Sequence, residues 1–282
     1  MRYYTCIDKK EKVIARRKMA FYNIIIKNKF GKIMSEKSEE DQCCLVYKDA
    51  YLHDDTITFE SSESGIYVVV SVDDAMESSF VFMKDKSFEY KIPFDENKVS
   101  YSPKSFAGNI HLIKIRTATV EEISRYRNLA VNNLDQHVNT VMFPHAAANV
   151  ETRGEAVFAA RNAIDGNREN SSHGNWPYES WGINMQDDAE FKIDFGRTIL
   201  ADKIVLYTRA DFPHDNWWTQ VRFSFSDGTQ MEFNMEKSCK PHVCEFAQKK
   251  IEWIKIDKLI KSDDPSMFPA LSQIEVYGKN KY

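Results

Sequence analysis

Apolar residues recur at every second position through much of this chain, which is the period of a half-buried β-strand. The clearest runs are Glu190-Phe-Lys-Ile-Asp-Phe195, Gln220-Val-Arg-Phe-Ser-Phe225 and Gln230-Met-Glu-Phe-Asn-Met235. The last two flank Ser226-Asp-Gly-Thr229, whose composition predicts a hairpin turn. Residues 203–208, 251–256 and 273–277 add three more expected strands. The first half carries shorter β-rich runs between polar turns, at 22–26, 44–47, 56–59, 66–72, 79–83, 88–92 and 110–115. Many short strands at such spacing predict a sandwich or barrel in each half.

Between the halves the period changes. Thr119-Val-Glu-Glu122 has the form of a capping box, in which the Thr119 hydroxyl accepts from the backbone N–H of Glu122. Ile123, Tyr126 and Ala130 follow at helical spacing, predicting a helix of about three turns that ends near Asn132-Asn133. Residues 134–144 show no period and read as a linker, giving an N-terminal β-sandwich domain over 1–136 and a second domain over 145–282. The fold class expected is therefore all-β, two sandwich domains joined by a short helix and linker.

Composition narrows the function. With 43% hydrophobic and 13% aromatic residues, 282 residues can build two real cores. A formal net charge of −4 gives no overall attraction to nucleic acid, and the basic run Lys9, Lys10, Lys12, Arg16, Arg17, Lys18 reads as a solvated face. Ile24-Ile25-Ile26 is far short of the roughly 20 apolar residues that span a bilayer, and no apolar leader-like stretch opens the chain. A cytoplasmic protein with no membrane or nucleic-acid partner is the expectation. Five cysteines, an odd number without framework spacing, are expected to be reduced. Serine-hydrolase, zinc-protease, P-loop and dinucleotide fingerprints are all missing.

The densest chemistry lies in Arg209-Ala-Asp-Phe-Pro-His-Asp-Asn-Trp-Trp218. Planar hydrogen-bonding groups can grip vicinal hydroxyls while an aromatic face covers the C–H side of a pyranose, so the mixture suits a saccharide. The plainer alternative is that the aromatics are core and the Arg–Asp neighbours a salt bridge. Trp217 and Trp218 are adjacent, so on a strand one points inward and the other outward.

The run Ala156-Val-Phe-Ala-Ala-Arg-Asn-Ala-Ile-Asp-Gly166, the pair Trp181-Gly182, the strand ending Phe195-Gly196-Arg197 and the closing Gln273-Ile-Glu-Val-Tyr-Gly278 together resemble the discoidin family. This is also called the coagulation factor 5/8 type C family and includes carbohydrate-binding module family 32. The resemblance covers about residues 146–278 and implies a galactose-binding-like jelly roll whose end loops take the ligand. It further implies a structural calcium ion held by Asp165, Asn170 and Glu275, with carbonyls near Asn162 and Asn167. Asn170 stands where the family commonly has Thr or Ser, and Asp-Gly-Asn is equally ordinary turn chemistry.

By loop position the resemblance implies His173, Arg209, Asp211, His214 and Asn216 as sugar ligands, with Trp176, Trp217 or Phe268 stacking. The alternatives stay open: His173 and His214 as caps of loop carbonyls, Arg209 with Asp211 as a supporting pair, Trp181 as core. A hydrolase needs two carboxylates in defined roles, and Asp211 and Asp215, beside Arg209 and His214, are better kept ionised as acceptors. The functional expectation is a non-catalytic binder of a mono- or oligosaccharide; a glycan-active enzyme or a protein-interaction module are the alternatives.

Overall fold

The structure, a computed structural model, describes residues 20–210 and 215–281. The basic run at 9–18 and Cys6 lie outside the described residues. The first sandwich begins with β1 (Phe21–Lys27), β2 (Ile33–Glu40), β3 (Gln42–Tyr47), β4 (Thr56–Ser61) and β5 (Ile66–Ser71), followed by β6 (Ser79–Met83), β7 (Ser87–Lys91) and β8 (His111–Thr117). Then come α1 (Val120–Ser124), β9 (Arg127–Asn128), β10 (Met142–Phe143), β11 (His145–Ala148) and β12 (Trp181–Gly182). The long strands β13 (Phe191–Thr208), β14 (Trp218–Phe225), β15 (Gln230–Asn234), β16 (His242–Lys261) and β17 (Ala270–Asn280) complete the chain.

In the first half, one antiparallel sheet runs β2-β1-β4-β7 and a second runs β10-β6-β5-β8-β3. Alternation makes the core between them: Tyr22, Ile24 and Ile26 of β1 meet Val68, Val70, Ile113 and Ile115, all completely buried. β2 was invisible to this pattern because Ile-Met-Ser-Glu-Lys-Ser-Glu-Glu has no buried position. Its ladder to β1 holds it, and its charges guard an exposed edge.

In the second half a single sheet, β12-β17-β13-β16-β14-β15 with β11 added on β13 and β9 on β17, folds over one core containing Trp181, Phe191, Trp218 and Phe223. The predicted pairs 190–195 with 203–208 are one strand, β13, whose register to β16 shifts between Asp194 and Ile199. Gly196 sits at that shift with φ +64°, and a Cβ there would stand 2.3 Å from the Phe143 ring. Only glycine allows both the bend and the approach.

The helix expectation is corrected. The capping box forms as read, with Glu122 N–H donating to Thr119 Oγ1 at 3.2 Å and Thr119 N–H to Glu122 Oε2 at 2.8 Å. Arg116 beside Glu122 holds that carboxyl down at about 2. However, α1 is one turn, and Arg125 already returns to extended backbone. Asn128 Oδ1 accepts from the Val276 and Ala130 N–H groups while Arg127 and Asn128 pair with β17, so ladder pairing outweighs a marginal short helix.

The stretch read as a linker is woven into both halves. β9 joins the C-terminal sheet, Leu134 then packs in the N-terminal core, β10 joins the N-terminal sheet against β6, and β11 returns to β13. Fully buried Asp135 ties the crossing, accepting from His145 Nδ1, the Ala146 N–H and Asn139 Nδ2, each at 2.8 Å. Arg161 donates to the carbonyls of Asp135 and Asn133 with its guanidinium over the Tyr101 ring. Arg127 over Phe80 and Arg197 over Tyr67 and Phe82 add cation–π contacts between the halves.

Candidate functional site

At one end of the C-terminal sandwich the segments after β13 and before β14 and β17 surround a cavity of about 230 Å³. Arg209 directly follows β13, Asp215 precedes β14, and Phe268, Pro269 and Ala270 lead into β17. His173 enters from the loop before β12, and Thr152, Arg153 and Phe158 close the near wall. Gly182 lets that wall approach, since a Cβ there would stand 2.5 Å from Thr152 Oγ1.

Arg209 and Asp215 are the electrostatic centre. Nε lies 2.8 Å from Asp215 Oδ2, and both side chains are only 3% exposed. The contact is off the N–H axis, so it is a charge contact rather than an aligned hydrogen bond, and Nε and Nη1 have no hydrogen-bond partner. Burial lowers the Arg209 pKa against the raising effect of Asp215, yet a guanidinium remains a cation. A buried N–H donor without an acceptor costs about 1–3 kcal/mol. A hydroxyl or ring oxygen in the cavity would satisfy it.

Of the sugar ligands expected from sequence, His173, Arg209 and Phe268 come together here, His173 and Phe268 both exposed. Asp211 and His214 lie outside the described residues. Asn216 does not line the cavity. Its Nδ2 donates to the carbonyls of Ser262, Asp264 and Ser266, and its Oδ1 accepts from Trp217 N–H and Ser262 Oγ, so the amide is spent in clamping the 262–266 loop. Trp217 and Trp218 part as alternation predicts, Trp218 buried against Trp181 and Trp217 half-buried, but neither borders the cavity. Trp176 lies elsewhere too, exposed and with its backbone N–H on the Val99 carbonyl of the first sandwich. Trp181 is core, its indole N–H on the Val150 carbonyl. Sequence reading missed Thr152, Arg153 and Asn184 because they flank no strand pattern. Their one signal is left-handed backbone at Arg153 and Asn184, which only coordinates reveal.

The expected calcium donors are engaged otherwise. Glu275 contacts the Arg168 guanidinium and accepts from Tyr277 Oη at 3.1 Å, so its charge is met by an internal cation. Asn170 Nδ2 donates to the Thr208 and Cys239 carbonyls, each at 2.8 Å. Asp165 Oδ1 accepts from Asn167 N–H, and burial together with the neighbouring Glu179 carboxyl pushes Asp165 well above the usual carboxylate range. Glu179, with Oε1 on Asn167 Nδ2 and Oε2 without a partner, is likewise raised by burial. Among the described residues no three carboxylate, imidazole or thiol groups close around one point. As placed, Asp165, Asn170 and Glu275 do not fit a calcium ion, which needs about six to eight converging oxygens.

No family model matches the chain, and no curated protein matches it. About half of the chain aligns with solved carbohydrate-binding modules and lectin domains. The family 32 module of C. perfringens NanJ in complex with galactose is 21% identical, covering 47% of this chain and 91% of that one at a TM-score of 0.37. The lectin domain of lectinolysin complexed with Lewis B antigen is 21% identical over 54% of this chain and 96% of that one, TM-score 0.40. A Streptococcus pneumoniae fucose-binding module is 16% identical over 55% and 98%, TM-score 0.38.

Proposed function

We propose that the protein binds a saccharide without turning it over, in the cavity bounded by Arg209, His173 and Phe268. The observation that carries the proposal is the buried Arg209 guanidinium with Nη1 unpartnered beside a cavity that an exposed aromatic borders. That combination supplies fixed charge-assisted donors for hydroxyls and an apolar plate for a ring face. A volume of about 230 Å³ lies below the ~300–1,000 Å³ of drug-sized sites, which suits one sugar ring.

The binding role is favoured over hydrolysis by the carboxylates. Among the described residues lining the cavity, Asp215 is the one carboxylate, and it faces a guanidinium that favours its ionised form. Glycoside cleavage needs two carboxyls about 5–9.5 Å apart, one of them an acid. The test is calorimetric titration with a panel of mono- and disaccharides, with NMR of the same mixtures. Saturable heat without new anomeric signals, lost in Arg209→Ala, is the expected result; turnover or unchanged binding in that variant would overturn it.

A further inference from the structure

A larger concavity lies where the two sandwiches meet. It measures about 590 Å³ and takes Phe94, Asp95 and Asn97 from the first half and His137, Gly154 and Ala159 from the second. A third hollow of about 440 Å³, beside β11, shares His137 and Gly154 with it, so the two run on as one trough. The segment 152–159 borders both this trough and the Arg209 cavity. Thr152, Arg153 and Phe158 face the cavity, whereas Gly154, Ala156 and Ala159 face the trough. This shared segment is built from two short 3-10 turns.

The trough's chemistry repeats that of the smaller site. Lys91 on its wall meets Asp54 at 2.8 Å, and His53 and His137, when protonated, meet Asp95 at 3.5 Å and Glu151 at 2.8 Å, while the Arg161 guanidinium is spent on the Asp135 and Asn133 carbonyls. Charges paired in this way exert little net field, so they do not select an ionic ligand, but their remaining lone pairs and N–H groups still meet hydroxyls. Phe94, stacked on His53 with centroids 4.4 Å apart, and Tyr101, under the Arg161 guanidinium, supply the aromatic surface. Left-handed backbone at Asp54 and Asp95 marks the rim, a strained conformation that concentrates at ligand clamps.

We infer that the trough is a second saccharide subsite, and that the ligand is an oligosaccharide which places one ring at Arg209 and crosses the 152–159 segment into the trough. This rests on the saccharide reading of the Arg209 cavity. It gives the first sandwich a task, since that half contributes Phe94, Asp95 and Asn97 to the wall. A ligand engaging both places gains affinity without new contacts at either, because the second contact becomes intramolecular.

The test is calorimetry of the full chain with galacto- and cello-oligosaccharides as monomer, dimer and tetramer, repeated in Phe94→Ala and His137→Ala. The expected result is tetramer binding at least about tenfold tighter than monomer, with that gain lost in both variants and monomer affinity unchanged. Both side chains are partly or well exposed, so folding is retained, and a circular dichroism melt checks this. Tetramer no tighter than monomer, or a gain that survives both variants, overturns the trough while leaving the Arg209 site standing. No heat with any sugar, in the wild type as in Arg209→Ala, overturns the saccharide reading itself.

Discussion

Each sandwich buries a pair of opposite polar groups near one end, and the two pairs differ in what covers them. In the first, His111 and Asp73, 1% and 2% exposed, lie with Nδ1 and Oδ2 3.5 Å apart beneath Tyr51, whose ring centroid is 4.2 Å from the imidazole. Asp73 also accepts from the N–H groups of Ala75 and Phe106, both at 2.9 Å, so its carboxylate is tied into the backbone. In the second, Arg209 and Asp215 are equally buried, but they line an open cavity and Arg209 Nη1 has no partner. Buried charge alone therefore does not mark a binding site. Access to a cavity does: His111 Nε2 is likewise without a hydrogen-bond partner, but none of the cavities described borders it.

The largest effect that sharpens this contrast is on stability alone. Asp73→Ala should cost about 3–5 kcal/mol in denaturant unfolding, because it strands a buried imidazole and two N–H donors, while sugar affinity at the distant cavity stays unchanged. Arg209→Ala should weaken saccharide binding about a hundredfold by calorimetry, in line with truncating one member of a buried charge pair. It should also lower stability, because the buried Asp215 loses the Arg209 cation. If Arg209→Ala behaved like Asp73→Ala, with stability lost and affinity kept, the distinction between the two pairs would collapse.

A smaller effect comes from Phe268→Ala. Its side chain is 43% exposed, so melting should not move, while affinity falls about tenfold with the lost ring contact. The smallest is a pH slope. Burial raises Asp165 and Glu179 above their unfolded values, so the folded chain retains a proton that the unfolded chain releases. The stability this contributes is full below the usual carboxylate range and fades as pH rises through the raised values. Glu179→Gln should flatten that part of a stability–pH curve, measured by urea unfolding, without altering sugar binding.

How much of this was legible beforehand depends on what carried the signal. Alternation gave β1, β4 to β8 and β14 almost residue for residue, because their inward side chains are apolar. It was silent on β2, which has no inward side chain, and misled at 123–130, where helical spacing coexists with residues that join an existing sheet edge. At the site, His173, Arg209 and Phe268 could be named through the family resemblance and loop position, yet Asn216 and Trp176, named in the same way, turn elsewhere. Composition shows which residues can bind; only register and loop path decide which do. The trough was out of reach, since its wall joins residues about forty positions apart, such as Lys91 with Gln136, across two sandwiches.

The crossing at 127–143 has a bearing on how such a protein can be inherited. A recombination point placed between β9 and β10 would strip β17 of its neighbour β9 and at the same time carry β10 away from the first sandwich. A point placed before β9 leaves β9 on β17 but takes Leu134 and β10 from the first sandwich instead. Every junction in that stretch therefore takes an ordered strand or a core residue from at least one of the two sandwiches, so neither half is delimited by a clean cut there.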